Sequence, residues 1–149
     1  MGKCKITKKQ NIDVLDFGKM PIANGFLKER DFKKEFFFNM TVSFSEDISL
    51  LQLNDHPKPK MMFNKNYPFF TSSSEFMKKH FAMYSDWVKK KFLKPGSKII
   101  EIGSNDGTFL SNFLKSEIEH VGFEPSKNVS LIAKKNGVNS LNDFFCKKN

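Results

Sequence analysis

The last third of the sequence alternates between short apolar runs and segments of helical character, and this alternation most restricts the fold. From residue 98 onward the segments read KIIEIGS, GTFLSNFLKS, HVGFEPS, NVSLIAKKNG and VNSLNDFF. The first, third and fifth have the length and apolar content of strands, whereas the second and fourth have those of helices. The order predicts an α/β fold that contains the first βαβαβ half of a doubly wound parallel sheet.

A glycine-rich loop, EIGSNDG, follows the first of these strands. Gly103, Asn105 and Gly107 hold the glycine positions of a G-x-G-x-G turn, and asparagine is the non-glycine residue that best tolerates positive φ. Glu124 ends the strand HVGFE, 17 residues after Gly107. Such a turn lets the backbone approach a cofactor, and such an acid can accept hydrogen bonds from both ribose hydroxyls. The pattern therefore predicts a nucleotide-type cofactor site.

The residues around the loop favour S-adenosylmethionine over a nicotinamide dinucleotide. A G-x-G-x-x-G fingerprint has its third glycine inside the helix, and Thr108 stands at that position. Glu101 comes two residues before Gly103, as an acid does in S-adenosylmethionine sites, where it helps to hold the amino-acid end of the cofactor. The alternative is a glycine turn that only joins a strand to a helix, and the downstream Glu124 weighs against it.

Residues 74–93 are predicted to form a helix because their apolar positions recur with helical period. Ser72, with Glu75 three residues later, fits a capping box, and KPGS ends the helix. His80 lies within the apolar stripe without a catalytic partner nearby in sequence, so it is interpreted as a packing residue. The stripe consists of Phe76, Met77, Phe81, Tyr84, Val88 and Phe92.

The hydroxyl-rich segment YPFFTSSSEF at the start of this helix has two interpretations. Hydroxyls and amides at a helix N-terminus can hold an anion, so Thr71, Ser72 and Ser74 could receive a diphosphate. Ser72 could equally serve only as a helix cap, because a cap and an anion site use the same amides. The sequence leaves both open.

Residues 1–60 read as short mixed segments separated by turns. Alternation around NMTVSFS predicts strands, and the proline-rich DHPKPK predicts an extended connector. A small β-rich N-terminal module is therefore expected. The resulting division is a module over residues 1–60, a linker and helix with the serine-rich segment over 61–95, and a partial cofactor-binding domain over 96–149.

The net charge of +9, from 25 basic and 16 acidic side chains, favours anionic partners. The lysines are scattered and no aromatic-and-basic RNA motif accompanies them, so nucleic-acid binding is a secondary hypothesis. Cys4 and Cys146 form no disulfide framework, which predicts a reduced, cytoplasmic compartment. No run approaches the ~18 apolar residues of a membrane helix, so no membrane association is expected.

Six motifs occur in order along nearly the whole chain: DFGKMPIANGFL, SLLQL, FNKNYPFFTSSSEFMKKH, EIGSNDGTFL, GFEPSKNV and NDFF. Together they resemble the sugar C-methyltransferases of deoxysugar biosynthesis, whose N-terminal part is a zinc-binding domain. The resemblance implies a Rossmann-like fold and methyl transfer from S-adenosylmethionine to a ring carbon of a nucleotide-linked ketosugar, through an enolate.

The resemblance also implies roles for individual residues. Glu124 would bind the cofactor's ribose, and Asp143 in NDFF would contact its adenine. Phe69 and Phe70 replace tyrosines of the family's substrate segment, so Tyr67 is the candidate catalytic residue. The substrate-binding set is Tyr67, Thr71, Ser72 and Ser74, and the cofactor-binding set is Glu101, Gly103, Asn105, Asp106, Gly107, Glu124 and Asp143.

The chain departs from the family at the zinc site, which uses two C-x-x-C pairs. Cys4 is followed by Thr7, and the second pair falls on Ser45 and Ile48. One thiolate cannot complete a tetrahedral zinc site, so no structural zinc is predicted. Aromatic packing is expected to hold the module instead, through Phe36, Phe37, Phe38 and Phe44.

The chain is also short for such an enzyme. In a doubly wound sheet the first strand is central, so ending at residue 149 would leave KIIEI with an unpaired edge. The family's general base, a histidine, lies in a later part. Three hypotheses follow: an N-terminal portion of the methyltransferase that is inactive alone, a cofactor- or nucleotide-sugar-binding module that works with a separate C-terminal chain, and a small basic nucleic-acid-binding or scaffold protein.

Overall fold

Two three-stranded sheets, one antiparallel and one parallel, organise the chain in the computed structural model, which describes residues 2–147. The antiparallel sheet lies in one compact unit, Met1–Met62, and the parallel sheet in a second, Phe63–Asn149. The mixed α/β class predicted from the sequence is confirmed. None of the helices within residues 2–147 is long and apolar enough to span a bilayer.

The first unit is built on strands β1 (Ile12–Pro21), β2 (Phe37–Ser45) and β3 (Leu50–Leu53), in the order β1-β2-β3. A 3-10 helix, Glu29–Lys34, connects β1 to β2, a turn over residues 46–49 connects β2 to β3, and the short α1 (Pro59–Met62) ends the unit. Residues of NMTVSFS lie in β2, as their alternation predicts.

The buried centre of this unit is polar. Cys4, Asn11, Ser43 and Ser45 are each at most 1% exposed. Asn11 Nδ2 donates to Ser43 Oγ at 3.0 Å, and Ser43 Oγ donates to Asn54 Oδ1 at 2.6 Å. These bonds offset the cost of burying the polar groups.

The prediction that aromatic residues hold this unit is wrong for two of the four. Phe36 is 43% exposed and Phe37 is 48% exposed, whereas Phe38 and Phe44 are half-buried. Phe37 lies at the start of β2 and pairs with Pro21 at the end of β1. The consecutive phenylalanines in the sequence did not reveal that the enclosed positions are polar.

The second unit begins with the serine-rich segment and α2 (Glu75–Phe92), which confirms the predicted helix. The capping-box prediction is wrong, because Ser74 rather than Ser72 caps α2: Ser74 Oγ accepts the amide of Met77 at 3.3 Å. KPGS ends the helix as predicted, with Gly96 at φ 80°.

The parallel sheet consists of β4 (Lys98–Ile102), β5 (Glu119–Phe123) and β6 (Ser140–Leu141), in the order β4-β5-β6. Ile100 pairs with Val121, and Gly122 pairs with Ser140. α3 (Lys127–Lys135) connects β5 to β6 as the sequence predicts. β4 has no second neighbour among the described strands, and its Ile100 is 58% exposed.

Two elements of this unit are shorter than predicted. The helix expected over GTFLSNFLKS is only a 3-10 helix, Leu110–Phe113. Asn112 Nδ2 donates to the carbonyls of Thr108 and Phe109 at 3.0 and 2.9 Å, and such side-chain bonds compete with helical ones. β6 ends at Leu141, because Asn142 Nδ2 turns back to the carbonyls of Glu124 and Pro125.

The apolar core of the second unit lies between α2, α3 and the 3-10 helix Leu110–Phe113. Phe109 is at its centre, with ring centroids 5.8 Å from Phe81, 5.5 Å from Tyr84 and 5.2 Å from Phe113. The core's buried members are Val88, Phe109, Leu110, Phe113, Ala133 and Val138. This packing fixes the segment directly after the EIGSNDG loop. His80 lies outside it, exposed and stacked on Tyr84.

Candidate functional site

The EIGSNDG loop forms a tight turn at the carboxyl end of β4. Gly103, Asn105 and Gly107 have φ of 76°, 49° and 78°, so asparagine adopts the left-handed conformation predicted for it. The amides of Gly103 and Ser104 both donate to the carbonyl of Phe123, at 2.8 and 3.1 Å. The turn is thereby tied to the end of the neighbouring strand β5.

Gly107 also meets a packing requirement. A Cβ at this position would lie 2.9 Å from Cγ2 of Val138 and 3.1 Å from Cβ of Ala133. A Cβ at Gly103 would have nothing within 4 Å. Gly107 therefore lets the loop approach the segment after α3, whereas Gly103 faces open space.

Glu124 follows β5 and is 4% exposed. Its Oε2 accepts the amide of Asn105 at 3.0 Å, and its Oε1 accepts the amide of Ser126 at 2.6 Å. The structure thus brings together the loop and the acid that the sequence singled out. Each carboxylate oxygen can accept a further hydrogen bond, since each has two lone pairs.

Glu101 lies on β4 directly before the loop. Burial, together with the nearby charge of Asp106, raises the pKa of this carboxyl to about 8. Its Oε2 is enclosed and has no hydrogen-bond partner among residues 2–147. A cation placed here would stabilise the ionised carboxylate, because opposite charges attract strongly where water is excluded.

Asp106 is almost fully buried and connects the loop to the serine-rich segment. Its Oδ2 accepts the amide of Ser72 at 2.8 Å, and its Oδ1 accepts the hydroxyl of Thr108 at 2.5 Å. Asn105 Oδ1 similarly accepts the amide of Thr71 at 2.9 Å. The loop therefore positions the segment that precedes α2.

These bonds remove the basis of one sequence interpretation. The amides of Thr71 and Ser72 are engaged by Asn105 and Asp106, and the side chain of Ser74 caps α2. They do not form the open set of amides that an anion site at this helix start requires. The three hydroxyl side chains stay candidates for substrate contacts.

A cavity of about 240 Å³ opens beside the loop. Gly103, Asn105 and Glu124 supply its polar side. Its other walls are apolar and largely aromatic: Phe63, Tyr67, Ile102, Phe123, Pro125, Phe144 and Phe145. A site with a few polar groups and flat apolar walls suits a ligand with a planar ring and a hydroxylated part.

Tyr67 is a wall residue whose backbone is fixed. Its amide donates to Asn128 Oδ1 at 3.1 Å, and its carbonyl accepts from Asn128 Nδ2 at 2.8 Å. Burial, followed by the charge of Glu124, raises the pKa of the Tyr67 phenol. Tyr67 is therefore a neutral hydroxyl at neutral pH, able to donate a hydrogen bond.

Apart from Tyr67, the aromatic wall residues were not predicted from the sequence, because only Asp143 was taken from the NDFF motif. Asp143 is exposed and does not line the cavity; its Oδ1 accepts the amide of Phe144 at 2.7 Å. Phe144 lies edge-on to Phe63, with centroids 6.4 Å apart, and Phe145 lies edge-on to Phe123 at 5.1 Å. The signal that could have found them is the pair of phenylalanines in that same motif.

The four positions that correspond to the zinc ligands do not fit a metal. Cys4 offers the one thiol among them, Thr7 and Ser45 offer hydroxyls, and Ile48 offers no donor. Within residues 2–147 no group of three or more His, Cys, Asp or Glu side chains is arranged to hold a metal ion. The absence of structural zinc stays a prediction that metal analysis can test.

The fold and the site define an α/β protein with a ligand cavity at the carboxyl ends of a parallel sheet, joined in sequence to a small antiparallel module. Residues 4–63 match a methyltransferase family model described as "Putative zinc binding domain". Over 144 residues the chain is 28% identical to C-methyltransferase NovU from Streptomyces niveus, an alignment that covers 95% of this chain and 34% of that protein. The chain therefore spans about a third of the length of the curated relative it matches.

The comparisons confirm the resemblance to C-methyltransferases that the six motifs indicated. They support a methyltransferase, and they associate the first unit with the domain type found at the N-terminus of such enzymes. Within the matched residues 4–63, Cys4 is the one cysteine.

Proposed function

We propose that this chain provides the S-adenosylmethionine half-site of a Rossmann-like C-methyltransferase that acts on a nucleotide-linked ketosugar. The observation that carries the proposal is the hydrogen bond between the amide of Asn105 and the carboxylate of Glu124, at the mouth of the cavity. It joins the glycine turn and the acid that a ribose-containing cofactor requires.

The cavity has suitable groups for the adenine and the ribose of the cofactor, and Glu101, which lies on β4 directly before the loop and is not among the cavity's lining residues, is the candidate for the amino-acid end. The aromatic side chains of Tyr67, Phe144 and Phe145 would pack on the adenine, and Glu124 would accept the ribose hydroxyls. The enclosed Oε2 of Glu101 would accept the ammonium of the amino-acid end. When bound, the cofactor supplies an electrophilic methyl group.

Glu101 would move a proton when the cation arrives. Its pKa of about 8 means that the carboxyl is mostly protonated at pH 7. A neighbouring ammonium lowers that pKa, so the carboxyl releases its proton and forms a charge-assisted hydrogen bond. The carboxyl thus accommodates two states, a neutral one without the cation and an ionised one with it.

The substrate side of the proposal rests on the serine-rich segment. Tyr67 presents a neutral phenol to the cavity, and the loop holds the backbone of Thr71 and Ser72 in place. Their hydroxyls, with that of Ser74, would contact a hydroxyl-rich ligand such as a sugar nucleotide. Tyr67 would donate a hydrogen bond to the developing enolate oxygen.

Calorimetric titration of the chain with S-adenosylmethionine, S-adenosylhomocysteine and NAD tests the cofactor. Saturable heat is expected with the two adenosyl compounds and none with NAD. Equal binding of NAD would overturn the choice of cofactor. No binding of any of them, together with salt-dependent RNA binding, would support the basic nucleic-acid-binding alternative instead.

A second candidate is a binding module that works with a separate C-terminal chain. One edge of β4 has no partner strand within residues 2–147, and Ile102 is 64% exposed. Both favour this candidate, since an exposed apolar edge strand is a surface for strand addition. A methyl-transfer assay with nucleotide-linked ketosugars distinguishes the two when the C-terminal part of a C-methyltransferase is supplied either fused to this chain or as a separate chain. Activity in the fusion alone would favour the first candidate, and activity in the mixture of separate chains would favour the second.

The thiols are consistent with a cytoplasmic location, which is also part of the proposal. Neither Cys4 nor Cys146 is in a disulfide. Reduced cysteines are the usual state in that compartment. Fractionation of cells that express the chain, with detection by antibody, would test it.

A further inference from the structure

Two turns of the first unit have the same form. One runs from Cys4 to Lys8 and the other from Ser45 to Ser49, and each brings its first and fourth residues to the spacing of a metal-binding C-x-x-C pair. Each has a non-glycine residue in the left-handed region at its fifth position: Lys8 at φ 65° and Ser49 at φ 51°. Such conformations are strained, so the surrounding contacts must hold both turns.

The backbone of the first turn is arranged around the sulfur of Cys4. The amide of Thr7 donates to Cys4 Sγ at 3.4 Å, and the amide of Lys8 donates to the carbonyl of Cys4 at 2.9 Å. An amide directed at sulfur stabilises a thiolate in the same way that it would stabilise a metal-bound one. The turn therefore retains this geometry although Thr7 replaces a cysteine.

The two turns meet at buried polar side chains. Cys4 is 0% exposed and Ser45 is 1% exposed, and the Ser45 hydroxyl lies close enough to the Cys4 sulfur to lower the pKa of the thiol. Ser45 Oγ lies 2.9 Å from Asp47 Oδ1, to which it donates, and its one proton is shared between this carboxylate and the nearby Cys4 sulfur. Asp47 Oδ2 lies 3.5 Å from Nζ of Lys9, the residue directly after the first turn. This ion pair therefore also links the two turns.

The pKa values of this group agree with its geometry. The Ser45 hydroxyl, followed by the Thr7 hydroxyl and amide, lowers the pKa of the Cys4 thiol to about 7. The same two hydroxyls, with Lys9, lower the pKa of Asp47. The Thr7 hydroxyl oxygen is enclosed and makes no hydrogen bond of good geometry within residues 2–147, so it acts on Cys4 and Asp47 only as a nearby dipole.

A second set of bonds holds the first turn against the β2–β3 hairpin. Gln52 Oε1 accepts the amide of Lys5 at 2.9 Å, and Gln52 Nε2 donates to the carbonyl of Lys3 at 3.0 Å. Gln52 lies on β3 and pairs with Ser43 on β2. These bonds therefore hold the two turns near each other in addition to the contacts of the buried side chains.

We infer that a hydrogen-bonded group of Cys4, Thr7, Ser45 and Asp47 replaces the zinc ion in this chain, so that the unit folds without metal while its two turns keep a latent tetrahedral site. The arrangement that a metal would impose is held by polar side chains. Restoring the missing cysteines at Thr7, Ser45 and Ile48 should then create a zinc site.

The first test is the triple variant Thr7→Cys, Ser45→Cys, Ile48→Cys in the full chain. It should bind about one zinc per chain and, with cobalt, give the absorption of tetrahedral thiolate coordination. The control is the variant Ile6→Cys, Ser45→Cys, Ile48→Cys, whose cysteine at 6 replaces a side chain that is 69% exposed. The control should bind zinc at least tenfold more weakly. Equal binding, or none in the triple variant after refolding with zinc, would overturn the latent site.

The second test uses the wild-type chain and does not depend on the triple variant folding. The purified protein should contain no stoichiometric zinc, and a chelator should leave its melting temperature unchanged. Ser45→Ala should lower the melting temperature of the first unit by roughly 4–8 °C, the shift that a loss of about 1 kcal/mol gives in a domain of this size. Glu46→Gln, at the exposed neighbouring position, should leave it unchanged. Stoichiometric zinc, or a chelator-sensitive melting temperature, would contradict the metal-free group.

Discussion

The amide of Asn105 donates to Oε2 of Glu124 at 3.0 Å, so the loop after β4 and the acid after β5 are parts of one site. The bond provides an acceptor for the amide of Asn105, which has a left-handed backbone conformation and lies outside the regular hydrogen bonding of the sheet. It also fixes one carboxylate oxygen at the edge of the cavity. Removing the charge of Glu124 should therefore affect both the loop and the binding of a ribose.

Glu124→Gln should weaken S-adenosylmethionine binding by roughly 10- to 100-fold. The amide side chain has one acceptor oxygen, whereas the carboxylate now serves the amides of Asn105 and Ser126 and would also serve the ribose. Calorimetry measures the loss. Glu119→Gln, an exposed position at the opposite end of the same strand, is the matched control and should bind normally. Unchanged affinity in Glu124→Gln would remove Glu124 from the proposed site.

Cofactor binding should release up to about one proton at pH 7, through Glu101. The carboxyl is mostly protonated there because burial and Asp106 raise its pKa to about 8, and a bound ammonium lowers that pKa. Titrations in buffers of different ionisation enthalpy give the number of protons released. Glu101→Gln should abolish the release and weaken binding. Release that persists in the variant would assign the proton to another group.

The same carboxyl should make stability depend on pH. Its folded pKa of about 8 lies above the ordinary value of 4.5 for a glutamate carboxyl, so its contribution to stability is fully present below pH 4.5 and is lost as pH rises towards 8. Glu101→Gln should therefore be more stable than the wild type at pH 8, by roughly 1–3 kcal/mol, with no such gain at pH 4. Denaturant unfolding at the two pH values measures the difference. The exposed Glu117→Gln should show no gain at either pH.

Gly107 and Gly103 should respond differently to alanine. Both have φ near 77°, so alanine adds similar backbone strain at each, about 1–2 kcal/mol. At Gly107 the new Cβ would also lie 2.9 Å from Val138, which should bring the loss to roughly 3–4 kcal/mol. Urea unfolding of the two variants measures the difference. Equal losses would mean that the segment after α3 moves aside without cost.

The sequence predicted those elements of the second unit whose periodicity is strong and local. The apolar runs of β4 and β5 and the periodic stripes of α2 and α3 are found at nearly the predicted positions. The 3-10 helix and the short β6 were mispredicted because side-chain hydrogen bonds from Asn112 and Asn142 displace regular backbone pairing. Such competition depends on tertiary context and leaves no periodic signal.

The candidate site was predictable only where its residues follow a motif. Gly103, Asn105 and Glu124 were found from their spacing, and the structure brings them to one cavity. The wall contact between Phe63 and Phe144 joins residues 81 positions apart in sequence, and spacing gives no indication of such a pair. The polar centre of the first unit was missed for the same reason, since Cys4 and Ser45 meet only in the folded chain.

Cys4 and Cys146 should differ sharply in their reaction with iodoacetamide. A thiol pKa of about 7 would make Cys4 the more reactive group if it were accessible, but its side chain is 0% exposed. Cys146 is exposed. Native protein should therefore be modified at Cys146 and not at Cys4, and denatured protein at both, as peptide mass spectrometry will show. Ser45→Ala should loosen the buried group and speed the native modification of Cys4 at least several-fold, whereas Glu46→Gln should not. Modification of Cys4 in the native wild type at the rate of Cys146 would contradict a closed, hydrogen-bonded group at this position.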